Sequence, residues 1–151
     1  MKKFQFSLDK VLEVKEIEEK ILQKDLLLIQ HEILKKENNI LELEEKISQE
    51  CITLSVLSQE ITQSSKIMLH YQYIESLQKK IDFLIHEITE LRVREEKVKN
   101  MLIVKSKEKK SLEHLKEIKY DEFKKEYKKH EQTILDEVSI QNHRFKQDSN
   151  K

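Results

Sequence analysis

The sequence predicts an all-α protein in which two long helices, about residues 7–63 and 65–145, form an antiparallel coiled-coil hairpin. Three observations predict this fold. The 151-residue chain contains no Gly, no Pro and no Ala, and 38% of its residues are charged. Apolar residues recur at every seventh position over long stretches, which is typical of coiled coils. The repeat loses its phase abruptly near residue 66, where we expect the chain to turn.

The composition limits the alternatives to this fold. Gly and Pro form most tight turns, so their absence argues against many short elements joined by sharp loops. The abundant Leu, Ile, Glu, Lys and Gln favour long helices instead. High charge is also typical of disordered chains, but disorder is disfavoured because the apolar residues are regularly spaced.

The first helix is expected to begin at Ser7 and to end near Gln63. The Ser7 hydroxyl can accept hydrogen bonds from the free amides of the first turn, and Phe6 and Val11 occupy the positions of a hydrophobic staple. The predicted apolar seam then shifts by four residues, a stutter that a continuous helix tolerates. The seam residues before the shift are Leu8, Val11, Val14, Ile17 and Ile21, and those after it are Leu22, Leu26, Ile29 and Ile33.

The turn is predicted within residues 62–77 and centred near residue 66. Every seventh residue from Ile33 to Met68 is apolar, but the same count continued gives polar residues. The step of six from Met68 to Ile74 is unlike the insertions of three or four that continuous coiled coils tolerate, so a break in the helix explains it better. The new ladder consists of Ile74, Leu77, Ile81, Leu84, Ile88, Leu91, Val98 and Leu102.

A turn near residue 66 also sets the pairing of the two helices. The numbers of facing residues should then add up to about 132, which places Lys105 opposite Leu26 and Ile29. The methylene groups of Lys105 could cover these apolar side chains while its amine stays hydrated.

The same pairing predicts an aromatic cluster at the open end of the hairpin, where Tyr120, Phe123 and Tyr127 meet Phe4 and Phe6. We expect the chain to form one domain whose residues 129–151 extend beyond the first helix and are partly frayed, because an isolated helix is marginally stable in water. Apolar side chains make this end a candidate partner surface, consisting of Phe4, Phe6, Ile134, Leu135, Val138 and Phe145.

The charge distribution supports pairing of the two arms. Residues 1–65 hold 9 Lys against 13 acidic residues, and residues 66–145 hold 18 basic against 15 acidic residues. The opposite signs favour pairing modestly, since exposed ion pairs contribute about 0–1 kcal/mol each. The balance gives no argument for nucleic acid or anionic lipid as a partner.

The residue types give no candidate catalytic, cofactor-binding or metal-binding site. Phosphate-binding loops need Gly, and none of the six His shows the i,i+4 spacing of a metal site. Cys51 is the only cysteine, which suggests a reducing compartment and a small, half-buried apolar role. We therefore expect no enzyme, no cofactor, no small-molecule substrate and no membrane-spanning segment.

The start of the second helix has more aromatic residues than its seam requires. Tyr71 and Tyr73 could close the end of the hairpin, or they could anchor a partner protein. Four residues along one side of this helix form a candidate stripe: Tyr73, Leu77, Lys80 and Leu84.

Three segments resemble the FliJ family of flagellar type III export proteins: FQFSLDKVL at 4–12, YQYIESL at 71–77, and the closing segment 135–145. The resemblance implies a non-catalytic cytoplasmic stalk at the inner face of the cell membrane, associated with the membrane through its partners only. The implied partners are the export ATPase (FliI), its regulator (FliH), the export-gate protein (FlhA) and export chaperones. Tyr73 and Leu77 match the family's gate-contacting pattern, and Lys80 and Leu84 are its next two positions.

Two alternatives remain open on the sequence. The chain could form a parallel dimeric scaffold with one continuous helix per chain, or it could be the equivalent stalk of an injection-type secretion system.

Overall fold

The computed structural model describes residues 3–60 and 64–148, with side chains as far as Phe145. These residues form two α-helices, α1 (Asp9–Leu57) and α2 (Ser64–Asp148), and no strand. Residues later in α1 contact residues earlier in α2: Gln30 donates a hydrogen bond to Glu95, whereas Lys36 donates one to Glu87. The helices are thus antiparallel, and the predicted all-α hairpin is confirmed.

The first helix ends at Leu57, six residues earlier than expected. The Ser58 hydroxyl donates to the Ser55 carbonyl at 2.9 Å. The amides of Gln59 and Glu60 each donate at 3.2 Å to the carbonyl three residues before. Such short-range bonds tighten the final turn of a helix and satisfy its last carbonyls.

The predicted turn centre, residue 66, lies within α2, which begins at Ser64. That prediction was wrong by several residues. Met68, the last member of the predicted first ladder, is 63% exposed. Ile61, another member of the predicted first ladder, and Gln63, the expected end of the first helix, lie outside the described residues.

The chain divides into two compact units, which are described separately. The first combines Met1–Glu18 with Lys105–Lys151, and the second is Glu19–Val104. One cluster in the core of the second unit consists of the buried Ile29, Ile33 and Ile88, with Ile40, Leu91 and Val98 packed against them, and the other buried residues among those described in this unit are Leu54, Ile74 and Leu77. In the first unit, Phe6 and Leu12 are the buried residues.

The seam of α1 differs from the predicted one in its first turns. Val11, Val14, Ile17 and Ile21 are 43–57% exposed, whereas Leu8 and Leu12 are half-buried and buried. From Leu8 onward the seam follows one heptad count, so the predicted stutter is absent. The seam contains the half-buried polar residues Lys15 and Glu19, and a count of apolar residues alone therefore selected the wrong face. The later seam residues, which are buried or half-buried, are Leu22, Leu26, Ile29, Ile33, Ile40, Leu43, Ile47, Leu54 and Leu57.

The seam of α2 agrees with the prediction. All eight residues of the predicted ladder from Ile74 to Leu102 are buried or half-buried. Leu77 is the most buried of them, at 2% exposure.

The pairing of the helices differs from the predicted one by about one heptad. Lys105 Nζ lies 2.9 Å from Glu18 Oε2, so the predicted position of Lys105 opposite Leu26 and Ile29 was wrong. The numbers of most paired residues add up to 123–125 instead of 132. The reason is the earlier turn, which moves every facing pair.

Four charged side chains of the first unit form a network across the helix pair. Lys15 Nζ lies 2.6 Å from Glu108 Oε2, and Lys105 Nζ contacts both Glu18 and Glu108, at 2.9 and 3.7 Å. Hydrogen bonding to Lys105 lowers the pKa of Glu18, and hydrogen bonding to Lys15 lowers the pKa of Glu108. The pKa of Lys15 is raised, chiefly by its hydrogen bond with Glu108.

This network predicts a loss of thermal stability in acid. The lowered pKa values of Glu18 and Glu108 favour the folded state above the unfolded-state pKa, about 4.3, and this contribution disappears as the pH falls through the folded-state values. The raised pKa of Lys15 has the opposite sign: its contribution is present below a pH of about 10.4 and is lost as the pH rises further.

Thermal unfolding followed by circular dichroism between pH 3 and pH 8 tests this expectation, because this range extends to both sides of the unfolded-state pKa of glutamate, about 4.3. The melting temperature should fall below about pH 4.5, and the fall should be shallower in the variant with Glu18→Gln and Glu108→Gln. Identical acid profiles for the variant and the wild type would contradict the role of the network.

Candidate functional site

The residues of the predicted stripe at the start of α2 differ in exposure. Tyr73 is 45% exposed and Lys80 is exposed, whereas Leu77 is 2% exposed and Leu84 is half-buried. Tyr73 and Lys80 are seven residues apart and so share one face, next to the seam that contains Leu77 and Leu84. A partner can reach Tyr73 and Lys80, but Leu77 belongs to the core of the second unit.

An open groove of about 490 Å³ continues the surface beside Lys80. Both helices contribute to it. Leu43 supplies an apolar wall from α1, and Phe83, which is 62% exposed, supplies an aromatic one from α2. Sequence reasoning missed Phe83, although an aromatic residue outside the seam was a detectable signal. The other lining residues are Asn39, Glu42, Lys79 and Leu84.

A polar contact closes the seam next to Tyr73. His70 Nδ1 lies 2.6 Å from Glu50 Oε2, and both side chains are half-buried. His70 therefore occupies a seam position, paired with a carboxylate of α1, as expected for a structural histidine. This contact joins the helix that carries Tyr73 to α1.

The first unit contains the predicted aromatic cluster. The ring of Phe4 lies 5.2 Å from that of Tyr120 and 5.6 Å from that of Phe123, and Phe123 lies 6.3 Å from Tyr127. These distances are typical of attractive aromatic pairs. Phe6, predicted to contact a partner, is only 6% exposed. It is part of the core of this unit.

Beyond the aromatic cluster, α2 continues to Asp148, and every residue from Lys124 to Phe145 is exposed. We call residues 128–145 the C-terminal extension. Ile134 and Val138 are 47% and 48% exposed and four residues apart, so they lie on one face of the helix. A shallow cavity of about 510 Å³ adjoins Ile134 and is also lined by Tyr127, His130, Glu131 and Leu135. The predicted members Leu135 and Phe145 are 65% and 73% exposed.

The remaining chemistry-bearing residues form no cluster in the described ranges. Within residues 3–60 and 64–148, no group of three His, Cys, Asp or Glu is placed to hold a metal ion. No helix in this part of the chain is long and apolar enough to cross a membrane. Cys51 is exposed, so the prediction of a half-buried role was wrong. It directly follows the seam residue Glu50 and lines an open cavity together with Ile67 and Tyr71 of α2.

The sequence of the chain matches a known protein family. A family model described as Flagellar FliJ protein matches residues 4–148, which include both helices and both candidate surfaces. No curated protein and no solved structure matches the sequence.

Proposed function

Because a family model matches nearly the whole chain, the protein belongs to the FliJ family of flagellar proteins, and on this premise we propose that it is a stalk of the flagellar export apparatus. Membership in this family implies a non-enzymatic role in flagellar protein export. The proposal assigns partners to the two candidate surfaces: the C-terminal extension binds the export ATPase ring (FliI), and the face with Tyr73 and Lys80 binds the export gate (FlhA).

The observation that carries the ATPase assignment is the apolar surface of the C-terminal extension. Ile134, Leu135 and Val138 are 47–65% exposed on a helix that continues past the aromatic cluster. A helix with such a face gains stability when the face is buried against other protein, since burying an aliphatic side chain contributes about 1.5–3 kcal/mol. The central opening of a ring offers apolar surface on all sides of a single helix.

The gate assignment rests on exposed aromatic residues beside a groove. Tyr73 and Phe83 are 45% and 62% exposed, and Lys80 lies between them in sequence. Aromatic residues are enriched in protein interfaces, and Tyr is a common anchor there. Leu77 supports this surface from below by fixing the helix against α1.

Contacts with the ATPase regulator (FliH) and with export chaperones complete the proposal. Through these partners the protein would be held at the inner face of the cell membrane, in the cytoplasm, without a membrane segment of its own. Family membership supports these assignments.

The test of the proposal is a binding and activity assay with the cognate export ATPase. The purified chain should bind the ATPase in a pull-down and should increase its rate of ATP hydrolysis. A separate titration with the cytoplasmic domain of the gate protein should show binding that Tyr73→Ala weakens. Absence of both ATPase binding and stimulation would overturn the stalk assignment.

A further inference from the structure

The outer face of α1 in the second unit carries a line of exposed aliphatic side chains. Leu27, Leu34 and Leu41 are 66%, 54% and 62% exposed and recur at intervals of seven residues. Residues seven apart lie almost directly above one another on a helix. Ile21 and Leu28, which are 54% and 59% exposed, lie about 100° further round the outer side of the helix. Exposed aliphatic patches of this kind mark interaction surfaces.

The charges around the leucine line are separated by sign. Two exposed lysines, Lys20 and Lys24, lie at its N-terminal end, and two exposed glutamates, Glu42 and Glu45, lie at its C-terminal end. The face is therefore positive at one end and negative at the other. Such a face is complementary to a second copy of itself only when the two copies run in opposite directions.

We propose that this face binds a second copy of the chain, with the two α1 helices antiparallel and the two-fold axis near Leu34. In this arrangement Leu27 of one copy lies near Leu41 of the other, as an isologous interface requires. Lys24 of each copy lies beside the glutamates at the C-terminal end of the other copy's leucine line. The leucine line shares no residue with the proposed ATPase and gate surfaces, and of the four charges beside it only Glu42 also lines the groove next to Lys80.

The opposite, parallel arrangement is disfavoured by the same charges. It would set Lys20 and Lys24 against their own copies, and Glu42 and Glu45 likewise. Like charges at contact distance oppose association and so select against this arrangement. In the antiparallel pair the like charges near the axis include the two copies of Lys35, whose long side chains can reach solvent, and the two copies of Glu37, each paired with Arg92 of its own copy.

Sedimentation equilibrium of the full chain over a range of concentrations tests the association. The wild type should show a monomer–dimer equilibrium, and Leu34→Lys should lower the association constant at least about tenfold. Val93→Lys is the matched control, since Val93 is 55% exposed on α2, and it should leave the constant unchanged. A wild type that stays monomeric, or equal effects of the two substitutions, would overturn the proposal.

A charge-exchange experiment tests the pairing itself. One variant carries Lys20→Glu and Lys24→Glu, and a second carries Glu42→Lys and Glu45→Lys. Each variant alone has a face of one sign and should associate less than the wild type. An equimolar mixture should restore association, because the two faces are again complementary. Failure of the mixture to associate would count against the charge pairing.

Cys51 allows the direction of the pair to be measured. It is the only cysteine of the chain and it is exposed, so a spin label can be attached to it alone. Cys51 lies 17 residues beyond Leu34 on α1, and with a rise of 1.5 Å per residue the two labels of an antiparallel dimer should be roughly 50 Å apart. Pulsed dipolar spectroscopy measures this distance. A separation below about 25 Å would indicate a parallel or tip-to-tip pair, and would overturn the proposed arrangement.

Discussion

Replacing Leu77 by alanine should lower the free energy of unfolding by about 2–4 kcal/mol. Leu77 is 2% exposed and is the most buried side chain of the second unit. Truncating it removes apolar contacts and leaves a cavity between α1 and α2, since a helix pair can collapse only partly around the lost side chain. Urea unfolding followed by circular dichroism measures the effect.

Two substitutions in the same helix serve as controls for Leu77→Ala. Leu69 is 65% exposed and Tyr73 is 45% exposed, so Leu69→Ala and Tyr73→Ala should each change the free energy of unfolding by no more than about 0.5 kcal/mol. Tyr73→Ala should instead weaken binding to the export gate about tenfold. If Tyr73→Ala destabilised the fold as much as Leu77→Ala and left gate binding unchanged, Tyr73 would have to be assigned to the core.

The variant with Ile134→Ser and Val138→Ser should bind the export ATPase about 100-fold more weakly than the wild type. Both side chains are about half exposed on one face of the C-terminal extension, and the proposal buries them in the ring. Losing the burial of two aliphatic side chains costs about 3 kcal/mol together, and each 1.4 kcal/mol corresponds to a factor of ten in affinity. Titration calorimetry or biolayer interferometry gives the two dissociation constants.

The matched control introduces the same number of serines on polar positions of the same segment. Lys129→Ser with Gln132→Ser lowers the helix propensity at least as much but keeps the apolar face. This variant should bind the ATPase within about threefold of the wild type, a difference below 1 kcal/mol. Equal losses in the two variants would mean that helix formation, and not the apolar face, governs binding.

The existence of the two helices and the seam of α2 could be predicted from the sequence. From Ile74 to Leu91 the ladder places apolar residues three and four apart, and Val98 and Leu102 continue the same count, so periodicity alone identifies the buried side. The aromatic cluster around Phe4 was also predictable, because any pairing close to the true one brings the ends of an antiparallel hairpin together.

The seam of α1 could not be predicted in the same way, because this helix has more than one apolar face. Val11, Val14 and Ile17 form a helical series as regular as the one that contains Leu8 and Leu12. Periodicity shows that a face exists but not which partner covers it. The choice depends on the charged seam residues of α1, whose partners belong to the other helix.

The candidate gate surface was predictable in part. The sequence pattern identified Tyr73 and Lys80, but the same pattern also included Leu77, which faces α1. Phe83 was missed because its importance depends on the groove that it shares with Leu43 of the other helix. A property that arises from two segments distant in sequence needs the pairing of those segments to be known.

The uninterrupted seams have a consequence for how the hairpin finds its correct alignment during folding. A heptad repeat matches itself after every seven residues, so the apolar side chains alone would accept a hairpin that has slipped by one repeat. The ion pairs of the first unit do not tolerate such a slip. A shift of seven residues along α2 moves Glu18 from Lys105 to Leu112, and Asp9 from Lys116 to Phe123. Carboxylates set against apolar side chains lose their partners and part of their hydration. The charged residues between the helices thus select one alignment of the hairpin among those that the heptad repeat alone would allow.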